Sequence, residues 1–480
     1  MVPTLKNFVG GERVTPRSTE TIPLHNPATG EVLAQVPLSD DSDVAQAVQA
    51  AKKAFHTWSK TPVPQRARVL FKYHQLLIDN WEALAALITQ ENGKSYADAY
   101  GEVQRGIECV EFAAGAPSLM MGKQLPDIAT GVESGMYHYP LGVVGGIPPF
   151  NFPMMVPSWM FPMAIACGNT FVMKPSEKTP LTTMRLAELL QEAGLPAGVF
   201  NLVHGGKAAV DGILHHPDIA AISFVGSTPV GQYVYQTGTS QGKRVQSLMG
   251  AKNHTIIMPD ADIEYAVNQV INGAFGSAGQ RCMSAAVLVL VGDVAEPFLA
   301  RLKEATDKLT IGNGMNKDTF LGPVIDQAAK ERTLAFITEG EKEGAVLYRD
   351  GRKDKLPTEG CFVGPTIIDH VKPTMGVWQE EIFAPVLVVS RVDTLTEAID
   401  LANQSSFANG ACIYTDSGRA VRQFRETIDA GMLGVNLAVP APMAFFPFSG
   451  WKGSFVGDLH ANGPDGVAFY TRKKMLTSKW

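Results

Sequence analysis

Residues 219–231 read IAAISFVGSTPVG: a short apolar run closing on Phe224 and Val225, then a glycine, two hydroxyl side chains, a proline and a second glycine. The apolar run is strand-like, and Ser227 and Thr228 can cap a helix that begins beyond them. Backbone amides at such a strand-to-helix turn can receive a pyrophosphate. Gly226 and Gly231 lie five apart, a spacing that an ordinary tight turn also produces, so the surrounding chain has to decide.

The surrounding chain repeats the rhythm. LGVVGGI (141–147), NTFVMKP (169–175), VFNLVHG (199–205) and KRVQSLMG (243–250) are further Val/Ile/Phe-rich runs separated by helical stretches. Strand, helix, strand in this order predicts an α/β fold with a parallel sheet covered by helices. A second alternating series follows Ala251, with strand-like SAAVLVLVG, GACIYT and GMLGVN set among helical EPFLARLKEATDKL, TLTEAIDLANQ and Gly418–Arg425. The chain therefore predicts two α/β domains. Residues 41 to about 117 carry apolar residues at spacings of three and four, so helices precede the first sheet. MMGKQLPDIATGVESGMYHYP (120–140) predicts a projecting hairpin, and the tail VAFYTRKKMLTSKW ends in strand-like residues. Two such orphan segments are most simply stabilised by another subunit; packing on their own chain is the alternative.

Composition narrows the function classes. The 480 residues, 45% hydrophobic and 18% charged, suit a globular enzyme with more than one core. A net charge of -6 and no long basic run give no footprint for nucleic acid. MVPTLKNFVGGERV has neither the basic start and apolar core of a secretion signal nor the composition of a transit peptide, so a cytoplasmic location is expected. Cysteines 109, 167, 282, 361 and 412 are scattered without a CxxC pair, so neither disulfides nor a metal site are expected. Residues 134–173 contain no Lys, Arg, Asp or Glu, but Pro148, Pro149, Pro153, Pro157 and Pro162 would leave backbone groups unpaired in lipid. No membrane span is expected.

Two stretches carry chemistry. FVMKPSEKTP places Lys174 and Glu177 three residues apart at the end of a strand, where open parallel sheets present ligand-binding groups. A lysine can donate to ribose hydroxyls and a glutamate can accept from them, although a surface ion pair fits either residue taken singly. AFGSAGQRCMSAAV (274–287) sets a thiol, Cys282, beside a permanent cation, Arg281, among small residues.

Taken together, PPFNFP (148–153), GNTFVMKPSEKTP (168–180), FVGSTPVG (224–231), GQRC (279–282) and EEIFAPV (380–386) occur in the order and approximate spacing of the aldehyde dehydrogenase superfamily, which the chain resembles over nearly its whole length. The resemblance implies an NAD-binding domain from 1–119 and 141–250, a catalytic domain from 251–450, and a small β oligomerisation domain from 120–140 and 465–480. It implies Cys282 as nucleophile and Asn151 as side-chain donor of the oxyanion hole, shared with the Cys282 amide. Lys174, Glu177, Gly226 and Ser227 would bind NAD, with Phe150, Met249 and Phe383 near the nicotinamide and Glu381 on its ribose. Glu177 should repel a 2′-phosphate, favouring NAD over NADP, while Lys178 beside it softens that preference.

One departure narrows the reaction. Members that hydrolyse the acyl-enzyme carry a glutamate that activates water in an ELGGK-like segment; here that segment is LMGAK, with Leu248 in its place. Water, with a pKa of about 15.7, is a poor nucleophile without a base, whereas a thiol of pKa about 8.5 is partly ionised near neutrality. Transfer of the acyl group to coenzyme A is therefore expected. RGIECVEFAAGAPSLMMG (105–122), PMMVPSWMFPMAIACGNTF (153–171), KRVQSLMGAKNH (243–254), FGSAGQRCM (275–283) and NLAVPAPMAFFPFSGWKGSF (436–455) are similar to the acylating methylmalonate- or malonate-semialdehyde dehydrogenases. This closer resemblance implies substrates with a carboxylate beside the aldehyde, bound by Arg105 and Arg281, and a homotetramer built as a dimer of dimers. A salt bridge to Glu102 or Glu108 is the alternative for Arg105. A hydrolytic enzyme for another semialdehyde, such as succinate semialdehyde, is the alternative for the whole chain.

Overall fold

A computed structural model of the protein describes residues 2–480. Val143–Ile147, Thr170–Met173, Phe200–Leu202, Ile219–Val225 and Arg244–Leu248 form parallel strands, almost every residue of them buried. Strands covered on both faces must be apolar throughout, which is why they read as continuous runs. Their spatial order is Phe200–Leu202, Thr170–Met173, Val143–Ile147, Ile219–Val225, Arg244–Leu248. The chain thus reverses direction across the sheet between Val143–Ile147 and Ile219–Val225. The carboxyl ends of these two strands open the crevice where such sheets bind ligands. Asn7–Val9 and Glu12–Val14 extend one edge antiparallel, and Phe455–Val456 returns from beyond the second sheet to pair with Ser247 and Leu248 on the other.

The second sheet has seven strands, in the order Val346–Arg349, Thr366–Asp369, Val386–Val392, Ala285–Val291, Asn253–Ile257, Gly410–Tyr414, Met432–Val435. All of its pairs are parallel except that of Val346–Arg349 with Thr366–Asp369. Leu248 ends a strand of the first sheet and Asn253 begins one of the second, so LMGAK is the short bridge between the two sheets.

The uncharged region 134–173 folds as strand and helix. Its helix, Met155–Ala166, is buried from Val156 onward and packs against the helix Tyr96–Ala114. Among the described residues no helix is long and apolar enough to cross a membrane.

The hairpin and the tail find a partner in each other. Lys123–Ala129 and Val132–Pro140 form the hairpin, and Thr471–Lys479 pairs antiparallel with the latter along its whole length, from Thr471 opposite Pro140 to Lys479 opposite Val132. The two orphan segments thus pair with each other within one chain, with Lys123–Ala129 and Thr471–Lys479 left as the edges of the sheet. Their side chains are not satisfied in the same way: Leu125, Tyr137, Met475, Leu476 and Trp480 stay exposed on this three-stranded sheet.

Candidate active site

The crevice gathers the residues singled out in the sequence. At the carboxyl end of Thr170–Met173, Lys174 Nζ lies 3.2 Å from Glu177 Oε2 and 3.2 Å from the Gly205 carbonyl. Burial would raise the Glu177 carboxyl, but the Lys174 charge and hydrogen bond, with Lys178 beyond, hold it below the ordinary glutamate value. Glu177 is therefore ionised at neutral pH. Lys178 reaches across to the second domain, 2.6 Å from Asp326, with its ammonium 5.5 Å from the Phe150 ring centre. Ser227 is the N-cap of Thr228–Ser240, but its side chain caps nothing. Ser227 is exposed at the start of that helix, and a helix start can receive an anionic group. These features fit a dinucleotide.

Gly226 donates its amide to the Leu248 carbonyl at 3.1 Å, tying the turn to the neighbouring strand. Met249 is buried against Gly231 on the helix that follows. Gly250 is squeezed where a Cβ would sit 2.7 Å from Thr228 Oγ1 and 2.9 Å from Glu381 Oε2, so only a bare backbone lets the two sides of the crevice approach. Glu381 accepts the Ala251 amide at 3.0 Å, and burial lifts its carboxyl to about 7. Lys252, fully buried, donates to the carbonyls of Val377 and Glu380 at 2.7 Å each and so fixes the segment that carries Glu381. Phe150 and Phe383 meet edge to face at 5.9 Å.

Cys282 follows a strained turn. Ser277, Ala278 and Gly279 take φ values of +50°, +54° and +67° in succession, a conformation costing about 1–2 kcal/mol for each residue with a Cβ. Gly279 is required twice over, because a Cβ there would also lie 2.2 Å from the Ala384 carbonyl oxygen. Hydrogen bonds hold the turn: the Ser277 amide donates to Asp98 Oδ2 at 2.9 Å, and Gln280 Oε1 accepts the Ile325 amide at 3.0 Å. The Cys282 carbonyl accepts from Asn253 and Asn409, at 2.9 and 3.0 Å.

Asn151 Nδ2 donates to the Gln280 carbonyl at 2.9 Å. A side-chain amide has two N–H donors, so one remains to donate elsewhere. Burial pushes the Cys282 thiol up to about 12, with the Glu381 charge adding to the effect and Arg281 only partly opposing it. Burial also pushes Cys109, Cys167 and Cys412 up to about 12, so the shift alone does not single out Cys282. Cys361 is partly exposed.

Leu248 is buried at the end of its strand, opposite Phe455, in the apolar cluster against which Cys282 packs. No proton acceptor occupies that position.

Arg105 and Arg281 flank the site already engaged. Arg105 donates to Glu108 at 2.8 Å and to the Pro442 carbonyl at 2.5 Å, so of the two glutamates at helical spacing it takes Glu108. Arg281 donates to Asp98 at 2.5 Å, the Asn272 carbonyl at 3.1 Å and Ser277 Oγ at 3.2 Å. Five guanidinium N–H groups leave each arginine donors to spare.

Sequence reasoning missed the supporting residues Lys94, Asp98, Lys252, Asn253 and Asn409, and it missed that Glu102 faces inward. The 98, 102, 105 spacing, one stripe of a helix, was the available signal.

Residues 14–476 match the aldehyde dehydrogenase family. The malonate-semialdehyde dehydrogenase of Halalkalibacterium halodurans is 68% identical over 476 residues, covering 99% of this chain and 98% of that protein. Malonate-semialdehyde dehydrogenase 1 of Geobacillus thermodenitrificans is 67% identical over 480 residues, covering 100% and 99%. Among solved structures, the methylmalonate-semialdehyde dehydrogenase of Oceanimonas doudoroffii superposes with a TM-score of 0.98 at 48% identity, covering 100% of this chain and 99% of that one. A Sinorhizobium meliloti 1021 structure, described as a methylmalonate-semialdehyde dehydrogenase complexed with NAD, gives 0.98 at 46% identity, covering 100% and 98%.

Proposed function

Because the chain belongs to the aldehyde dehydrogenase family, we propose that it oxidises malonate semialdehyde or methylmalonate semialdehyde with NAD, releases carbon dioxide and passes the remaining acyl group to coenzyme A. The names of its relatives at 66–68% identity support the substrate class. The observation that carries the acyl transfer is Leu248, an apolar side chain where water would need a base.

Lys174, Glu177 and the helix start at Ser227 would hold the adenosine and pyrophosphate portions, and Glu381 the ribose nearest the reacting ring. NAD, when bound, supplies a hydride acceptor. Cys282 adds to the aldehyde carbon as thiolate. The free N–H of Asn151 and the Cys282 amide stabilise the oxygen that becomes negative, and loss of one such donor raises the barrier by about 3 kcal/mol. When hydride leaves the tetrahedral carbon, the carbonyl re-forms as a thioester on Cys282. Arg105 and Arg281 orient the substrate carboxylate, which stands β to that thioester. Loss of carbon dioxide leaves its electron pair as an enolate conjugated with the thioester carbonyl, and a proton at carbon completes an acetyl or propionyl group. The coenzyme A thiol then attacks the thioester and Cys282 departs.

The exposed apolar side chains of the three-stranded sheet support assembly into a homotetramer, a dimer of dimers, through that sheet. The test of function is a product analysis with malonate semialdehyde, NAD and coenzyme A. Acetyl-CoA, carbon dioxide and NADH in equal amounts are expected. Rapid turnover to free malonate without coenzyme A would overturn the acyl-transfer reading.

A further inference from the structure

The helix Tyr96–Ala114 carries Asp98, Glu102 and Arg105 at positions i, i+4 and i+7, and the three side chains go to three different parts of the site. Asp98 accepts from the turn before Cys282, and Arg105 turns to Glu108 and the Pro442 carbonyl. Glu102 and Lys94, just before the helix, turn inward, where the proposed chemistry has so far given them no part. Lys94 is 2% exposed and Glu102 3%. Lys94 Nζ donates to Glu102 Oε2 at 2.7 Å and to the backbone carbonyl of Asn151 at 2.6 Å, with the Phe152 ring centre 4.1 Å away. The other oxygen of Glu102 accepts the amides of Met154 and Met155, at 2.8 and 3.2 Å.

We propose that Lys94 and Glu102 are positioning residues for the oxyanion hole: the pair grips residues 151–155 by one carbonyl, two amides and one ring, and so sets where the Asn151 side chain delivers its free N–H. The proposal rests on the reading of Asn151 as oxyanion donor. A buried ion pair is weak evidence for stability, since apolar replacements of equal volume often do as well. What this pair adds is geometry. A carbonyl and two successive amides could be satisfied by neutral groups, but a paired ammonium and carboxylate fix all of them from one side. The same helix, through Asp98, holds the turn that delivers the Cys282 amide. Both donors of the hole are thus referenced to one rigid element, as a site with tolerances of a few tenths of an ångström requires.

The experiment compares Glu102→Gln, Asn151→Ala and the double variant in the holoenzyme, following the NADH burst with malonate semialdehyde before coenzyme A is added. Glu102→Gln is expected to slow the burst about 10- to 100-fold, with the aldehyde KM and NAD affinity changed less than about threefold. On the Asn151→Ala background the same substitution should cost less than about twofold, because the group it positions is gone. If Glu102→Gln does not fold, Lys94→Met/Glu102→Leu removes both charges together and is judged by the same coupling. Losses that multiply would overturn the positioning role. A wild-type enzyme that forms no NADH would overturn the dehydrogenase reading beneath it.

Discussion

Arg281 and Asp98, 183 positions apart in the chain, meet at 2.5 Å between the loop before Cys282 and the N-terminal helices. The same carboxylate accepts the amide of Ser277, so one aspartate holds both the left-handed turn before Cys282 and the guanidinium beside it. A charge that looks free in the sequence is therefore part of the scaffold that holds the turn before Cys282.

That relationship separates the two arginines. Arg105 bonds to an exposed-edge glutamate and a loop carbonyl, so Arg105→Leu should raise KM for malonate semialdehyde about 10- to 100-fold, the loss of a charge-assisted contact, while kcat changes little. Arg281→Leu removes the anchor of the turn as well, and kcat should fall for uncharged propionaldehyde as much as for the carboxylated substrate. Steady-state kinetics with both aldehydes distinguishes the two. Equal effects of both variants on KM alone would contradict the scaffold role of Arg281.

The cofactor-free thiol should be sluggish. With Cys282 pushed up to about 12, iodoacetamide alkylation is expected to climb with pH without levelling off below about pH 10. Glu381 sets part of this, and the sign follows from its charge: a neighbouring anion disfavours thiolate. Burial raises Glu381 to about 7, so it is charged above that pH and neutral below it. Glu381→Gln should speed alkylation about tenfold at pH 9, one unit of pKa, and hardly at all at pH 6. Mass-spectrometric labelling of Cys282 at the two pH values measures the difference.

The parallel strands of both sheets were legible because burial on two faces forces apolar runs that no surface element needs. Asn151, Cys282 and Glu381 could be singled out as candidates because their short motifs keep order and spacing. The partnership of the hairpin with the tail was not, since antiparallel pairing between segments more than 300 residues apart leaves no local trace. Nor were Lys94 and Asp98. A charged side chain reads as solvated until packing shows what surrounds it, and Lys94 is enclosed by a link of three residues, Gly93–Ser95, against which Gly314 and Gly322 close. The 98, 102, 105 stripe is visible in the sequence, but nothing in it says which of the three faces inward. Which member of a charged stripe faces inward depends on the neighbouring helix, here Met155–Ala166.

Cofactor choice should depend on Glu177. Lys174 and Lys178 hold its carboxyl ionised at neutral pH, so a 2′-phosphate on the ribose would meet a negative charge, a juxtaposition that costs several kcal/mol at close range. Glu177→Gln keeps the hydrogen-bonding reach and removes the charge. We expect kcat/KM with NADP to rise at least about tenfold while that with NAD falls, as read from initial rates with each dinucleotide. An unchanged NADP rate would place discrimination elsewhere.

Restoring a base should redirect the acyl group. Leu248 is 4% exposed, at the end of a strand in the apolar cluster that Cys282 adjoins. Leu248→Glu would put a carboxyl where water could be deprotonated, and in apolar surroundings its pKa would rise toward neutrality, which suits a general base at pH 8. Coenzyme A-independent release of free acid should then appear, with the acyl-CoA yield falling in proportion. The cost is a carboxyl without a partner in the core, roughly 3 kcal/mol of stability, seen as a lower melting temperature that recovers as pH drops and the group is protonated. The sign is fixed by the raised pKa: the folded state binds the extra proton, so acidification toward pH 5 favours it. If the variant folds and still makes only acyl-CoA, the absence of a base at position 248 is not what commits the thioester to a thiol.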